Sequence, residues 1–389
     1  MTVAMPARPP RDQRLDVVRG ILQLSIFARH IGGSFIGGWV IHSNWGLSDS
    51  SELFLYLSGY TLGSVIALKQ ARDGAAAATW DMLRRTLRLY RIHLAVFMLM
   101  AAMLAAVDAW WLPGEVVGRR WEAFWFDPWR AIPGMLTMVY QPELMGILPM
   151  FVWSMALLPA YAALLGRVGD WGLLVPIGFY AAVQAGLLST PSFGFAHGVE
   201  FDPIAWQVLF MTGAWVGRRV LLLGTAFDPQ AWWARYATIA AIAVLLAGLV
   251  LRLAWYGFLP LAAPFPEADW ITGKLELAAP RLLHMVALAW LVARFVPHDR
   301  AWMHHWSLAW LATVGRFSLE VFCLGLFLAW WATVTLELTG HPMVLDIAVT
   351  LVGFALLAGF AQWRDRARNV APVRQGGGSG AMAAGARPG

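Results

Sequence analysis

Apolar positions in this chain gather into ten runs, mostly close to the about 20 residues that a helix needs to cross a bilayer. Short polar, aromatic or Gly/Pro-containing breaks separate them. The runs predict helices at Leu15–Trp39, Ser51–Leu68, Arg91–Trp110, Gly146–Leu165, Trp171–Leu188, Pro203–Val220, Ala234–Tyr256, Ala279–Val296, Ser307–Leu336 and Val344–Trp363. The ninth exceeds one crossing, so it is expected to tilt or to begin at the interface. The predicted fold class is all-α, a polytopic transmembrane bundle of about ten spans. Residues 1–14 are expected to form a cytoplasmic arm, 15–365 the membrane domain and 366–389 a disordered cytoplasmic tail, Gly/Ala/Ser-rich from Gln375 onward. No internal repeat of the kind found in inverted-repeat transporters is visible.

Composition supports this class. Only 13% of the 389 residues are charged and 59% are hydrophobic, whereas a soluble domain carries about 25% charged residues. Many of the 23 Trp stand where apolar runs end, as Trp39, Trp45, Trp110, Trp111 and Trp270 do, and indoles favour the headgroup zone. Cys323 is the single cysteine; it lies in an apolar run and is expected to serve packing. The first run holds Arg19, Arg29 and His30 and lacks a small-residue cleavage site, so it does not read as a signal peptide.

The net charge of +6 matters through its placement. On the expected topology, twenty of the 29 Lys and Arg fall on one side against five on the other, which puts both termini in the cytoplasm. The outer side then holds three sizeable loops, Trp111 to Met145, Ser189 to Asp202 and Gly257 to Ala278, large enough to roof a cleft. A bilayer is the expected environment, and no nucleic-acid partner is expected.

Ionisable groups inside a span are costly, so each is a functional candidate. Arg19 and His30 are eleven residues apart, which puts them on one helix face about 16 Å apart along the axis. That spacing fits an anionic cytosolic donor held at Arg19 with its reactive end at His30, and coenzyme A, with phosphates at one end and a thioester at the other, has a suitable reach. Snorkelling of Arg19 and a structural hydrogen bond of His30 are the plainer alternatives. Asp49 and Glu52 begin the second helix near the depth of His30. They can steady an imidazolium or cap the helix start, and both roles stay open. Arg84, Arg85, Arg88 and Arg91 form a basic inner stretch suited to phosphates, to anionic lipid or to setting topology. Arg316 is a further phosphate candidate unless it pairs with Glu320 one turn on. His304-His305 lacks metal-ligand spacing and no metal is assigned. No P-loop, Rossmann glycine pattern, GxSxG elbow or HExxH is present.

These residues resemble the OpgC family of the acyltransferase type three superfamily. The resemblance rests on Leu15-Asp16-Val17-Val18-Arg19-Gly20, His30-Ile31, Ser48-Asp49 through Ser58-Gly59-Tyr60, Leu148-Pro149-Met150, Phe201 to Gln207, Gly213-Ala214-Trp215, Arg281-Leu282-Leu283-His284 and Gly315 to Phe322. It implies a Gram-negative inner-membrane O-acyltransferase that moves succinyl from cytosolic succinyl-CoA to hydroxyls of osmoregulated periplasmic glucans. Acyl-CoA would be a co-substrate, with no permanently bound cofactor. His30 would be the catalytic base with Glu52 or Asp49 as its acid, and Arg19, the Arg84–Arg91 stretch and Arg316 would hold the donor. Arg281, His284 and Lys274 are the substrate-binding candidates, and Arg29 is a further candidate for the succinyl carboxylate. Two positions depart from the family pattern: Arg29 stands where Asp is usual, and Asp202 where Asn is frequent. The alternatives are transfer of acetyl or another acyl group to a different exported saccharide, or export of the saccharide by a transporter.

Overall fold

The computed structural model describes residues 12–115, 119–195, 198–228, 230–259, 267–296 and 305–370, and among these every regular element is helical. The arm up to residue 11, His304 and the tail from residue 371 lie outside the described residues. The main helices are α1 (Gln13–His30), α2 (Ser50–Asp73), α3 (Ala75–Trp110), α4 (Glu122–Phe126), α5 (Pro128–Leu136), α6 (Ile147–Val168), α7 (Leu174–Gln184) and α8 (Pro203–Leu223). They continue as α9 (Trp232–Trp255), α10 (Asp269–Thr272), α11 (Ala279–Phe295), α12 (Trp306–Arg316), α13 (Ser318–Thr339) and α14 (Met343–Val370).

Among the described residues, six stretches are long and apolar enough to cross a membrane: α2, α3, α6 with α7, α9, α13 and α14. The outward face of α9 carries Tyr236, Ile239, Leu246 and Val250 in exposed positions. An apolar face of that kind suits contact with acyl chains, not water. The chain is a membrane protein. Its α1, with Arg14, Asp16, Arg19 and Arg29, carries more charge than such a span usually tolerates, yet it packs inside the bundle against α2, α12 and α13.

Several boundaries differ from the sequence expectation. The first helix ends at His30, not Trp39, because Gly32 and Gly33 follow and Gly33 adopts φ 72°. The third begins at Ala75, so Arg84 to Arg91 belong to a continuous helix and not to a loop. An alanine run opens that helix and Asp81 pairs with Arg85 one turn on, both of which favour helix. The long ninth run is two helices, since the chain breaks at Phe317. The last helix reaches Val370, five residues into the segment expected to be a disordered tail.

Small residues set the closest helix approaches. Gly59 and Gly63 of α2 face the backbone of Phe210 and Ala214 in α8, while Gly213 and Gly217 of α8 face the backbone of Tyr56 and Tyr60. In the same way Gly20 of α1 meets the Leu311 carbonyl of α12, and Gly315 meets that of Asp16. A Cβ at any of these would collide with a carbonyl oxygen, so backbones this close require glycine. Gly213→Val is therefore expected to cost about 1–3 kcal/mol or more, as overpacking does. The loss would appear as a lower midpoint when detergent-solubilised protein is heated and assayed for monodispersity.

Candidate active site

The geometry begins with the end of α1. Beyond His30 the Gly32 amide donates to Thr333 Oγ1 of α13 at 2.9 Å, and the Phe35 amide donates to Asp346 Oδ2 of α14 at 2.5 Å. The helix end is thereby tied to two neighbours. The His30 ring at this helix end lines an open space together with the first residues of α2. A neutral imidazole carries one donor nitrogen and one acceptor nitrogen, so such a ring can take a proton.

The chain then returns through residues 31–48 to the start of α2. Asp49 accepts from the Ser51 amide at 2.8 Å and from the Ser51 hydroxyl, while Glu52 Oε2 accepts from the Asp49 amide at 3.0 Å. This is a reciprocal cap of the helix start. Both carboxylates thus act as caps, and only one of them also reaches the open space beside His30.

That space is a cavity lined by Ser25, Arg29 and His30 of α1, by Asp49, Ser50 and Ser51, and by Glu200, Phe201 and Lys274 from the loops, with Leu144, Ile147 and Phe322 as its apolar walls. Lys274 Nζ lies 2.9 Å from Asp49 Oδ2 and 5.1 Å from the Phe201 ring centroid. Burial raises the Asp49 carboxyl, but Lys274 and its other donors outweigh burial and hold it well below the usual carboxylate range. Burial lowers the Lys274 ammonium, while Asp49, Glu200 and Glu52 outweigh that and raise it. A depressed acid is lost only as pH falls through its folded pKa, and a raised ammonium only as pH rises through its own. The pair is intact across the neutral range. Glu200 differs, since burial pushes its carboxyl up toward the neutral form.

The remaining candidates sit elsewhere. Glu52 is fully buried and receives Arg281 Nη2, which also lies 3.4 Å from Asp49, while Arg281 Nη1 donates to the Thr272 carbonyl at 3.2 Å. Neither Glu52 nor Arg281 lines the cavity: the expected imidazolium partner and the expected substrate cation neutralise each other behind it. The His284 ring is likewise buried, 2.7 Å from Ser48 Oγ and wedged between Gly46 and Gly248. It fixes the turn before α2 and does not line the His30 cavity.

Nearer the start of α1, Arg19 Nη2 donates to the Leu57 carbonyl at 2.7 Å and to Thr61 Oγ1 at 2.6 Å, both in α2, while His30 shares its cavity with Ser50 and Ser51 at the start of α2. Arg84, Arg85, Arg88 and Arg91 are all exposed on α3. Arg316 does not pair with Glu320: it donates to Asp365 at 2.7 Å, and Glu320 takes Arg364 at 3.5 Å. Arg316 and Asp365 line a second cavity with Gln13, Asp16 and Thr313, at the opposite end of α1 from His30. Among the described residues no cluster of His, Cys, Asp or Glu is arranged to hold a metal.

Glu200, Ser43 and Ser50 belong to the His30 cavity and were not candidates from sequence. Glu200 immediately precedes the Phe201-to-Gln207 stretch, and an acid beside that stretch was the available signal. Asp202 turns out to cap α8 through the Ile204 and Ala205 amides, at 2.7 and 3.1 Å, away from the cavity.

Comparison with known proteins gives one result. A family model described as OpgC protein matches residues 11–369. No curated protein and no solved structure matches.

Proposed function

The chain belongs to the OpgC family, and from that premise we propose that it succinylates periplasmic glucans at His30, with cytosolic succinyl-CoA as donor. Family membership makes it an acyltransferase connected with those glucans; the donor, the acceptor and the roles of individual residues are the proposal. The observation that carries it is the placement of cavities along α1. His30 opens into one at the helix end, Arg316 lines another at the helix start, and Arg19 lies between them.

In this reading the bundle spans an inner membrane about ten times with both termini inside. The nucleotide phosphates stay near the start of α1, where Arg316 and Arg19 supply cations and the exposed Arg84–Arg91 face attracts anions. The pantetheine arm runs along α1 and its thioester meets His30. A glucan hydroxyl enters from the opposite side, beneath the loops that carry Glu200 and Lys274. Neutral His30 takes the hydroxyl proton as the oxygen attacks the thioester carbonyl. The carbon–sulfur bond breaks, the ester forms, and the imidazolium returns the proton to the departing thiolate. Asp49 steadies the imidazolium across the cavity, since no hydrogen bond joins the two among the described residues. Glu52 acts one step back: it caps α2 and holds Arg281.

The test is purified full-length protein in proteoliposomes, supplied with labelled succinyl-CoA outside and glucan inside. The expected result is labelled ester on the glucan, with a mass increment of one succinyl group per event. Acetyl-CoA serving in its place would reassign the acyl group. Glucan crossing the membrane with no ester formed would replace the enzyme by a transporter.

A further inference from the structure

Besides His30, four ionisable side chains line the His30 cavity: Arg29, Asp49, Glu200 and Lys274. Lys274 is spent on Asp49, 2.9 Å away. The Glu200 carboxyl is pushed toward its neutral form by burial. Arg281, the other cation of this region, is sequestered behind the cavity by Glu52, Asp49 and the Thr272 carbonyl. Arg29 remains. It lines the cavity one residue before His30, it is exposed, and no carboxylate pairs with it among the described residues.

We propose that Arg29 binds the distal carboxylate of the acyl group and makes the enzyme selective for dicarboxylic thioesters over uncharged ones. This rests on the reading of His30 as the transfer site. A guanidinium suits the task because its planar fork can meet both oxygens of a carboxylate. Neighbouring residues on a helix point about 100° apart, so Arg29 does not crowd the face from which His30 meets the thioester carbonyl. A four-carbon diacid has two methylenes between its carbonyl and its carboxylate, and Arg29 and His30 line the same cavity.

Succinyl-CoA and butyryl-CoA separate the idea cleanly, because both acyl chains have four carbons and only one carries a terminal charge. In proteoliposomes with glucan, the wild-type protein is expected to favour succinyl transfer in kcat/KM. Arg29→Gln is expected to lower the succinyl-to-butyryl ratio about 10- to 100-fold, the range for loss of one charged hydrogen bond. Arg29→Lys is expected to recover part of that ratio by keeping the charge. An equal fall with both donors would overturn the proposal, since Arg29 would then serve folding, coenzyme binding or a lipid headgroup. An unchanged ratio would overturn it as well. Transfer by the wild type from neither donor would remove the parent reading, and that failure is distinguishable because the ratio then has no numerator.

Discussion

Replacing His30 by alanine is expected to slow acyl transfer to glucan by about 10²- to 10⁴-fold, the contribution of a positioned general base. The ring borders a cavity at the end of α1, so its removal leaves the packing of α1 against α12 in place. Membrane insertion, yield and heating midpoint should stay near wild type, and binding of coenzyme A should survive, because the candidate phosphate groups lie toward the other end of α1. His30→Gln keeps most of the volume and should be as inactive as alanine. A transfer rate within a few-fold of wild type in either variant would remove His30 from the chemistry.

The second large effect is on stability. Arg281→Met is expected to cost about 3–5 kcal/mol, as breaking one side of a buried ion pair does. Glu52 would remain at 0% exposure with its cation gone and could not reach water. The protein should accumulate poorly and lose monodispersity at a much lower temperature. Glu52→Gln on top of Arg281→Met removes the stranded charge and keeps an acceptor for the Asp49 amide, so the double variant should recover a large part of the loss. If Arg281→Met is as stable as wild type and only transfer falls, Arg281 is a substrate ligand after all and the buried pair is not structural.

The run pattern made the helical class and most helix positions legible, because acyl-chain solvent leaves a composition signature that local folding cannot hide. Arg19 and His30 are eleven apart on one helix, a spacing that puts two residues on a common face; Arg19 bonds to α2 and His30 lines a cavity with the first residues of α2. What could not be read was pairing between distant segments. Nothing in the local sequence says that Arg281 turns to Glu52, that Arg316 chooses Asp365, or that His284 fills the gap beside Gly46. Those choices are made by the approach of α11 to α2 and of α12 to α14. Gly315, Arg316, Ser318 and Glu320 interrupt the apolar run around Phe317, but apolar residues resume on both sides, so the break does not show as a separate run. The extension of α3 to Ala75 was hidden for the converse reason: hydropathy marks where lipid begins, and a helix can continue into water on alanines and paired charges. Glu200 and Lys274 were each visible as charges in loops, but their convergence on the His30 cavity is a product of tertiary folding.

One measurement bears most directly on the proposed route: an experimental structure of the full-length protein in a lipid nanodisc with a non-hydrolysable succinyl-CoA analogue. The account predicts the phosphates near Arg316 and Arg19, and the reacting carbonyl within about 3–4 Å of where a hydroxyl bonded to the His30 ring would sit. Density for the nucleotide confined to the outer surface of α3, with the acyl end lodged away from His30 or the imidazole closed off from it, would contradict the account at its centre.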